Sequence, residues 1–288
     1  MINSLLQKAK WSPNFIRAFG VFSGLRLLIQ NVNFWPRENP TVKSYNVPGY
    51  EEKIFLRSTI SDHATFRQCL VMLQYDFLAL PQATRLMNSY HHILKSGKRP
   101  LIIDCGANIG LSCLWFAKAF PEAQILAIEP DDDNFHILQT NTKHLGNRVT
   151  AIQGGVWNTT ARLEILNPHA GSASFQVKAT EPQCAKGVTA FTMDELCNMT
   201  GSQEPLIVKL DIEGSQAALF ESNTDWVKRA HLITLELDDW LLPWAGTSRN
   251  FFKCLSQLPF DYLIHKESIF CFQDFEVHQL PDLASSKS

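Results

Sequence analysis

What this chain lacks already narrows what it can be. It has no continuous apolar run long enough for a membrane span or a signal-peptide core. The most apolar N-terminal stretch, residues 14–30, is interrupted by Arg17, Gly20, Gly24 and Arg26. Nor is there an excess of basic charge. Lys and Arg number 26 against 28 Asp and Glu, a net charge of −2, so the electrostatic footprint of a nucleic-acid binder is missing. The seven cysteines (Cys69, Cys105, Cys113, Cys184, Cys197, Cys254 and Cys271) are odd in number and form no C-x-x-C pair. They read as reduced thiols of a cytoplasmic protein rather than a disulfide framework. The triplets at Asn158 and Asn198 fit the glycosylation pattern, but nothing else points to secretion. Internal repeats are absent, and only the tail, 281–288, reads as disordered.

What is present begins at residue 101. Residues 101–110 read LIIDCGANIG, and Glu129 closes the next apolar run. Leu101, Ile102 and Ile103 form a short buried strand that Asp104 ends. Gly106 and Gly110 bracket a turn into a helix whose apolar positions are Leu111, Leu114 and Trp115. Glu129 follows about one strand–helix–strand unit later, where a carboxylate can accept hydrogen bonds from ribose hydroxyls. The segment therefore reads as a nucleoside site at the edge of a parallel sheet.

The turn also says which nucleoside. A dinucleotide site needs G-x-G-x-x-G, so that pyrophosphate rests on bare amides. Here Asn108 occupies the middle glycine position, and Asp104 sits just before the turn. A carboxylate there repels phosphate and favours a cation. S-adenosylmethionine (SAM) carries a sulfonium, an ammonium and a ribose but no phosphate, so the electrostatics favour SAM over a nicotinamide dinucleotide.

In wording this stretch resembles motif I of the class I SAM-dependent methyltransferases, and it is most similar to the FkbM family with its D-x-G-A-N-x-G. Residues 207–214, IVKLDIEG, resemble the family's K-[IL]-D-[IV]-E-G segment. Residues 56–75 resemble its upstream R-x-x-x-S-D…Y segment through Arg57, Ser61, Asp62 and Tyr75. The resemblance runs from about residue 55 to about residue 240 and implies a Rossmann-like α/β fold: a mostly parallel seven-stranded sheet with helices on both faces, plus a helical N-terminal segment. It implies SAM as cofactor and a hydroxyl on a glycan, lipid-linked sugar or secondary metabolite as acceptor. The chain departs from the family at Gln216, where E-G-x-E is usual, and at Asp238 and Asp239, where many members have a His. These departures leave a second reading open, a SAM-binding partner or regulator without catalysis; a third, a nicotinamide oxidoreductase, is disfavoured by motif I.

The periodicity places parallel strands near 101–104, 125–129, 149–153, 206–211 and 232–237, a hairpin-like insertion between 161 and 192, and an antiparallel pair near 262–265 and 269–273. The organisation expected is an N-terminal helical segment and linker (1–50), a cap or lid (51–100), a methyltransferase domain (101–280) and the tail. Asp104, Glu129, Asp211 and Glu236 would close four strands at one rim, where ligands of open α/β sheets bind.

Asp104, Gly106, Ala107, Asn108, Gly110, Glu129, Pro130, Gly155, Val156 and Asp211 are the expected cofactor contacts. Asp211, Glu213 and Lys209 are the expected catalytic residues, with His169 a further candidate base. Each has a plainer alternative: a cap for Asp104, an exposed helix-entry charge for Glu129, a structural ion pair for Lys209 and Asp211. Arg57, Asp62 and Tyr75 are either a lid or ordinary surface. No metal site is read, although acids at 211 and 213 are the type that binds Mg²⁺. A membrane-surface contact through the basic, aromatic stretch 14–30 is weighed against a helix packed on its own domain. No nucleic-acid partner is expected, and oligomeric state is not encoded.

Overall fold

The fold is known from a computed structural model that describes residues 2–32, 40–165, 177–180, 187–202, 204–212, 214–240 and 243–275. Two helices come first, Ile2–Phe19 (α1) and Val21–Val32 (α2). A short antiparallel pair follows, Val42–Tyr45 (β1) with Ile54–Arg57 (β2). The next helix, Ile60–Phe66 (α3), is capped by Thr59, whose hydroxyl accepts from the Asp62 amide, and it runs on into a wider turn over Arg67–Val71. Ala83–Lys95 (α4) leads into the sheet.

Leu101–Cys105 (β3), Gln124–Glu129 (β4) and Val149–Gln153 (β5) pair in parallel, joined by the helices Leu111–Ala119 (α5) and Asp132–Thr142 (α6). The chain then leaves the sheet. Gly155–Val156 (β6), Ala161–Ile165 (β7), Val177–Thr180 (β8) and Val188–Phe191 (β9) form a separate four-stranded sheet in the order β6-β9-β7-β8. Its β7 is antiparallel to both β8 and β9, as the alternating pattern predicts. Met193–Thr200 (α7), opened by a reciprocal Thr192–Glu195 capping box, returns the chain to Pro205–Leu210 (β10). Gln216–Leu219 (α8), Leu232–Glu236 (β11), Arg249–Leu255 (α9), Phe260–His265 (β12) and Ser268–Gln273 (β13) complete it.

The main sheet has seven strands in the order β12-β13-β11-β10-β3-β4-β5, with β13 antiparallel to both its neighbours and the rest parallel. This is the α/β arrangement with helices on both faces that the resemblance implies. Successive residues of β3 point to opposite faces. Ile102 joins a core with α4, α5 and the N-terminal helices, whereas Leu101 and Ile103 join a second core with α7 and α9. Strands come off β3 in both directions, to β4 on one side and β10 on the other, so the sheet has its topological switch point between β3 and β10. Most strand ends shift by one or two residues from the sequence reading, and two of the shifts touch the site: β3 continues one residue past Asp104, and β10 stops one residue short of Asp211.

Segments 1–50 and 51–100 pack into the first of these cores through Phe15, Leu27, Phe66 and Phe77. Phe77 is fully buried, with its ring centroid within 6.2 Å of those of Trp115, Phe120, Phe270 and Phe272. Phe77→Ala leaves a void between α5 and the antiparallel edge of the sheet. We expect about 3–5 kcal/mol less stability in urea unfolding.

Candidate active site

A cavity of about 530 Å³ opens at the carboxyl ends of the parallel strands, at the switch point. Its floor is Gly106 and Asn108 after β3, Glu129 and Pro130 after β4, and Asp211 and Ile212 after β10. Gly155, Val156, Leu163 and Val188 of the small sheet form one wall. Ile60, Ser61, Ala64, Thr65 and Gln68 of α3 and its extension form another. Glu236, Trp240 and Glu267 close the far end.

Glu129 is 5% exposed. One of its oxygens accepts from the Asn108 amide at 2.8 Å, the other from the Asp131 amide at 3.1 Å and Asn134 Nδ2 at 3.2 Å. A carboxylate offers about four acceptor positions, so capacity remains toward the cavity. Burial pushes its pKa up to about 7, against the pull of those three hydrogen bonds. Asn108 holds φ +50°, a conformation that asparagine tolerates better than most residues. Its buried Oδ1 has no hydrogen-bond partner, on the lining of the cavity.

Asp104 and Lys209 lie beneath this floor rather than on it. Asp104 is fully buried, and Lys209 Nζ donates to its Oδ1 at 2.8 Å. Ser112 Oγ donates to the other oxygen at 2.5 Å. The cation that Asp104 meets is therefore Lys209. The same ammonium donates to the Gly106 carbonyl at 2.9 Å, lies 3.4 Å from Asp211 Oδ2, and sits 5.5 Å from the Tyr75 ring centroid. Burial works against its charge, but Asp104, Tyr75 and Asp211 outweigh it and hold the ammonium well above the ordinary lysine range. Lys209 reaches the cavity only through Gly106 and Asp211.

The glycines also divide. Gly106 lines the cavity, yet a Cβ there would stand 1.9 Å from the Asp211 carbonyl oxygen, at φ +79°. Main chain, not ligand, demands that glycine. Gly110 is the residue before α5, at φ +83°, and a Cβ on it would meet Leu138 Cδ1 at 2.8 Å. Gly110 serves the packing of α5 on α6 and is off the lining. Ala107 is buried, its amide donating to the Ile128 carbonyl at 2.9 Å.

Arg57 and Asp62 stand behind the α3 wall. They pair at 2.7 Å, and Arg57 Nη2 also donates to Asn134 Oδ1, so the wall is tied to the Glu129 end of the floor. Tyr75 is buried, and only Ser61 of that upstream motif lines the cavity. Glu213 and His169 lie outside the described residues.

Sequence reasoning misses Asn134, Ser215 and Glu267 on the lining. For Asn134 a signal exists: it stands three residues after the helix cap Asp131, on the turn that faces Glu129. Glu236 is foreseen as a strand-end acid, but its setting is not. Its pKa is raised to about 7 by burial and by the neighbouring charges of Asp211, Glu267 and Asp238. The departures at 216 and 238 belong together: Gln216 Nε2 donates to the Glu236 carbonyl at 2.5 Å and to Asp238 Oδ1 at 3.3 Å, while the Gly214 amide donates to Asp238 Oδ2 at 3.1 Å. Burial and the nearby Asp211 and Asp239 raise the Asp238 pKa to about 6, against the pull of the Gly214 amide.

A family model described as the methyltransferase FkbM domain matches residues 104–244. AglP of Haloferax volcanii, a hexuronic acid methyltransferase, is 24% identical over 136 residues, which are 46% of this chain and 54% of AglP. The methyltransferase sdnD of Sordaria araneosa is 45% identical over 42 residues, 15% of this chain and 16% of its own. The chain thus spans about half the length of the first relative and a small part of the second. Among solved structures, the T. thermophilus 16S rRNA N2 G1207 methyltransferase in complex with AdoMet and guanosine aligns at 12% identity and a TM-score of 0.35, over 82% of this chain and 51% of that one.

The buried pair under the floor generates a prediction about stability. Lys209→Met strands the Asp104 carboxylate, and the protein should lose roughly 3–5 kcal/mol in denaturant unfolding. Combining it with Asp104→Asn should recover a substantial part of that loss, because no uncompensated charge then remains.

Proposed function

Since this chain belongs to the FkbM methyltransferase family through residues 104–244, we propose that it uses SAM to methylate a hydroxyl group on a sugar-containing or secondary-metabolite acceptor. The observation that carries the reading is Glu129: a nearly buried carboxylate at the end of β4, on the lining of a cavity within the usual size range for small-molecule sites. Two features of this chain fit the donor. Glu129 has acceptor capacity left for a ribose hydroxyl, and the unpartnered Asn108 Oδ1 awaits an N–H or O–H donor. Asp211 and Glu236 supply negative charge where a sulfonium would lie.

Bound SAM supplies an electrophilic methyl group to an in-line acceptor oxygen. The rest falls to the chain. Walls from α3 and the small sheet hold donor and acceptor in contact, a positioning effect. An alcohol must also give up its proton to a base. Of the described carboxylates on the lining, Asp211 and Glu236 are the two we weigh for it. Asp211 lies 3.4 Å from the Lys209 ammonium, so one of its oxygens is already engaged by the chain. Glu236, with its pKa at about 7, is the better matched to proton transfer near neutrality. We assign the base role to Glu236 and a donor-facing role to Asp211.

The named substrate of AglP supports a sugar acceptor. Among the described residues, however, no Lys, Arg or His lines the cavity, whereas Asp211, Glu236 and Glu267 do. A uronate carboxylate would meet like charge there, so the acceptor best suited to this chain is a neutral hydroxyl compound.

Two measurements test these assignments. The ionised Glu129 is the stronger acceptor for a ribose hydroxyl, so below about pH 7 a growing share of the protein carries the weaker, protonated form. Affinity in calorimetry should therefore be flat above that pH and weaken below it toward the level of the neutral form, about tenfold lower. Glu129→Gln should bind about tenfold or more weakly and lose that dependence; an unchanged profile would mean that the ribose lies elsewhere. In a methyl-transfer assay on neutral glycosides and uronates, Glu236→Gln should lower turnover about 10²-fold with SAM affinity nearly intact. If Asp211→Asn does so instead, the base is Asp211.

A further inference from the structure

Helix α2 is apolar on two opposite sides. Gly24, Leu27, Leu28 and Asn31 form its buried stripe, the helical i, i+3, i+4, i+7 pattern, and Gly24 crosses so close to α1 that a Cβ would stand 2.5 Å from the Phe15 carbonyl oxygen. The opposite stripe repeats the pattern two residues out of step, at Phe22, Leu25, Arg26 and Ile29. There Phe22 is 92% exposed, Ile29 50% and Leu25 40%, and Val21 beside them is 54% exposed. A helix apolar all round is ordinarily buried on all sides. This one leaves Phe22, Leu25 and Ile29 in solvent.

The sign of the charge in this part of the chain says what covers it. Before Glu38 the sequence contains Lys8, Lys10, Arg17, Arg26 and Arg37 and not one Asp or Glu, whereas acids outnumber bases in the remainder. Arg17 and Arg26 are exposed. The described charges of the two helices, Lys10, Arg17 and Arg26, are all basic, with Glu51 and Glu52 the acids that share a groove with Arg26; an exposed aromatic and aliphatic stripe on such cationic helices is complementary to a surface that is both greasy and negative. No helix among the described residues is long and apolar enough to cross a membrane, so the contact would lie in the interface plane.

We propose that the exposed face of α2 docks the protein on an anionic lipid bilayer, with Phe22, Leu25 and Ile29 inserted among the headgroups and Arg17 and Arg26 against lipid phosphates. The hairpin is tied to the catalytic cavity by its inner side. Phe15 stacks on Phe66 at the end of α3, and Arg67 donates to Asn31 Oδ1 at 2.9 Å and lies over Trp11. Docking would therefore hold one wall of the cavity close to the membrane, within reach of an acceptor carried on a lipid.

The test uses the full chain, sedimented with vesicles of phosphatidylcholine alone or mixed with phosphatidylglycerol. Partitioning should be at least about tenfold stronger onto the mixed vesicles and should weaken as salt is raised. Phe22→Ser with Ile29→Ser should reduce it about tenfold or more, and Arg17→Gln with Arg26→Gln should remove the preference for anionic lipid. Both pairs are at the surface, so the melting temperature should not move; if the apolar pair lowers it, Phe22→Ser alone serves. No binding, equal binding to both vesicle types, or binding untouched by these substitutions would overturn the proposal. So would a concentration-dependent dimer that Phe22→Ser converts to monomer, because the stripe would then be an interface between copies. None of these readouts depends on methyl transfer.

Discussion

The buried contact between Lys209 and Asp104 is the constraint on which the site depends. It joins β10 to β3 across the switch point, and the same ammonium holds the Gly106 carbonyl of the turn above it and faces Asp211 at the end of β10. Two of the three strand ends that floor the cavity are thus pinned to one cation. Both charges are taken out of water, which is costly unless each finds near-ideal partners. Ser112, Cys113, Gly106 and the Tyr75 ring provide them. Moving the turn by an ångström would break several of these bonds at once, and this makes the floor rigid.

Above that floor the electrostatics reverse. The cation is buried beneath, so the cavity itself presents carboxylates: Glu129 at one end, Asp211 near the middle, Glu236 and Glu267 at the other. Burial raises Glu129 to about 7, and burial together with the charges of Asp211, Glu267 and Asp238 raises Glu236 to about 7, so both change charge near neutrality. Paired titratable groups in one cleft commonly divide the work of binding and proton transfer. A cationic donor would relieve the repulsion, and a neutral acceptor would not add to it.

The replacements at 216 and 238 are explained by the same logic. A carboxylate at 216 would face Asp238 at hydrogen-bond distance, whereas the amide of Gln216 donates to it and to the backbone of β11. The two residues form one satisfied unit at the edge of the cavity, so these departures from the family pattern leave no unpaired gap in its rim.

The sequence by itself determines the parallel sheet, the order of the motifs and the carboxylate at the end of β4. Each depends on short-range signals: apolar runs of strand length, glycines at a strand-to-helix turn, an acid one structural unit later. It also places Glu236 and Asp211 at the rim, since strand ends of a parallel sheet share one edge. Only the tertiary structure decides which charges face the ligand. Asp104 and Lys209 are 105 positions apart, and nothing local in either segment says that they meet. Gly106 carries the mark of a ligand-binding turn, yet the Asp211 backbone fills the space beside it. Burial and partner choice come from the packing of distant segments, so a residue type and its spacing fix where a group lies on the chain but not whether it is used up by the protein or left for a substrate.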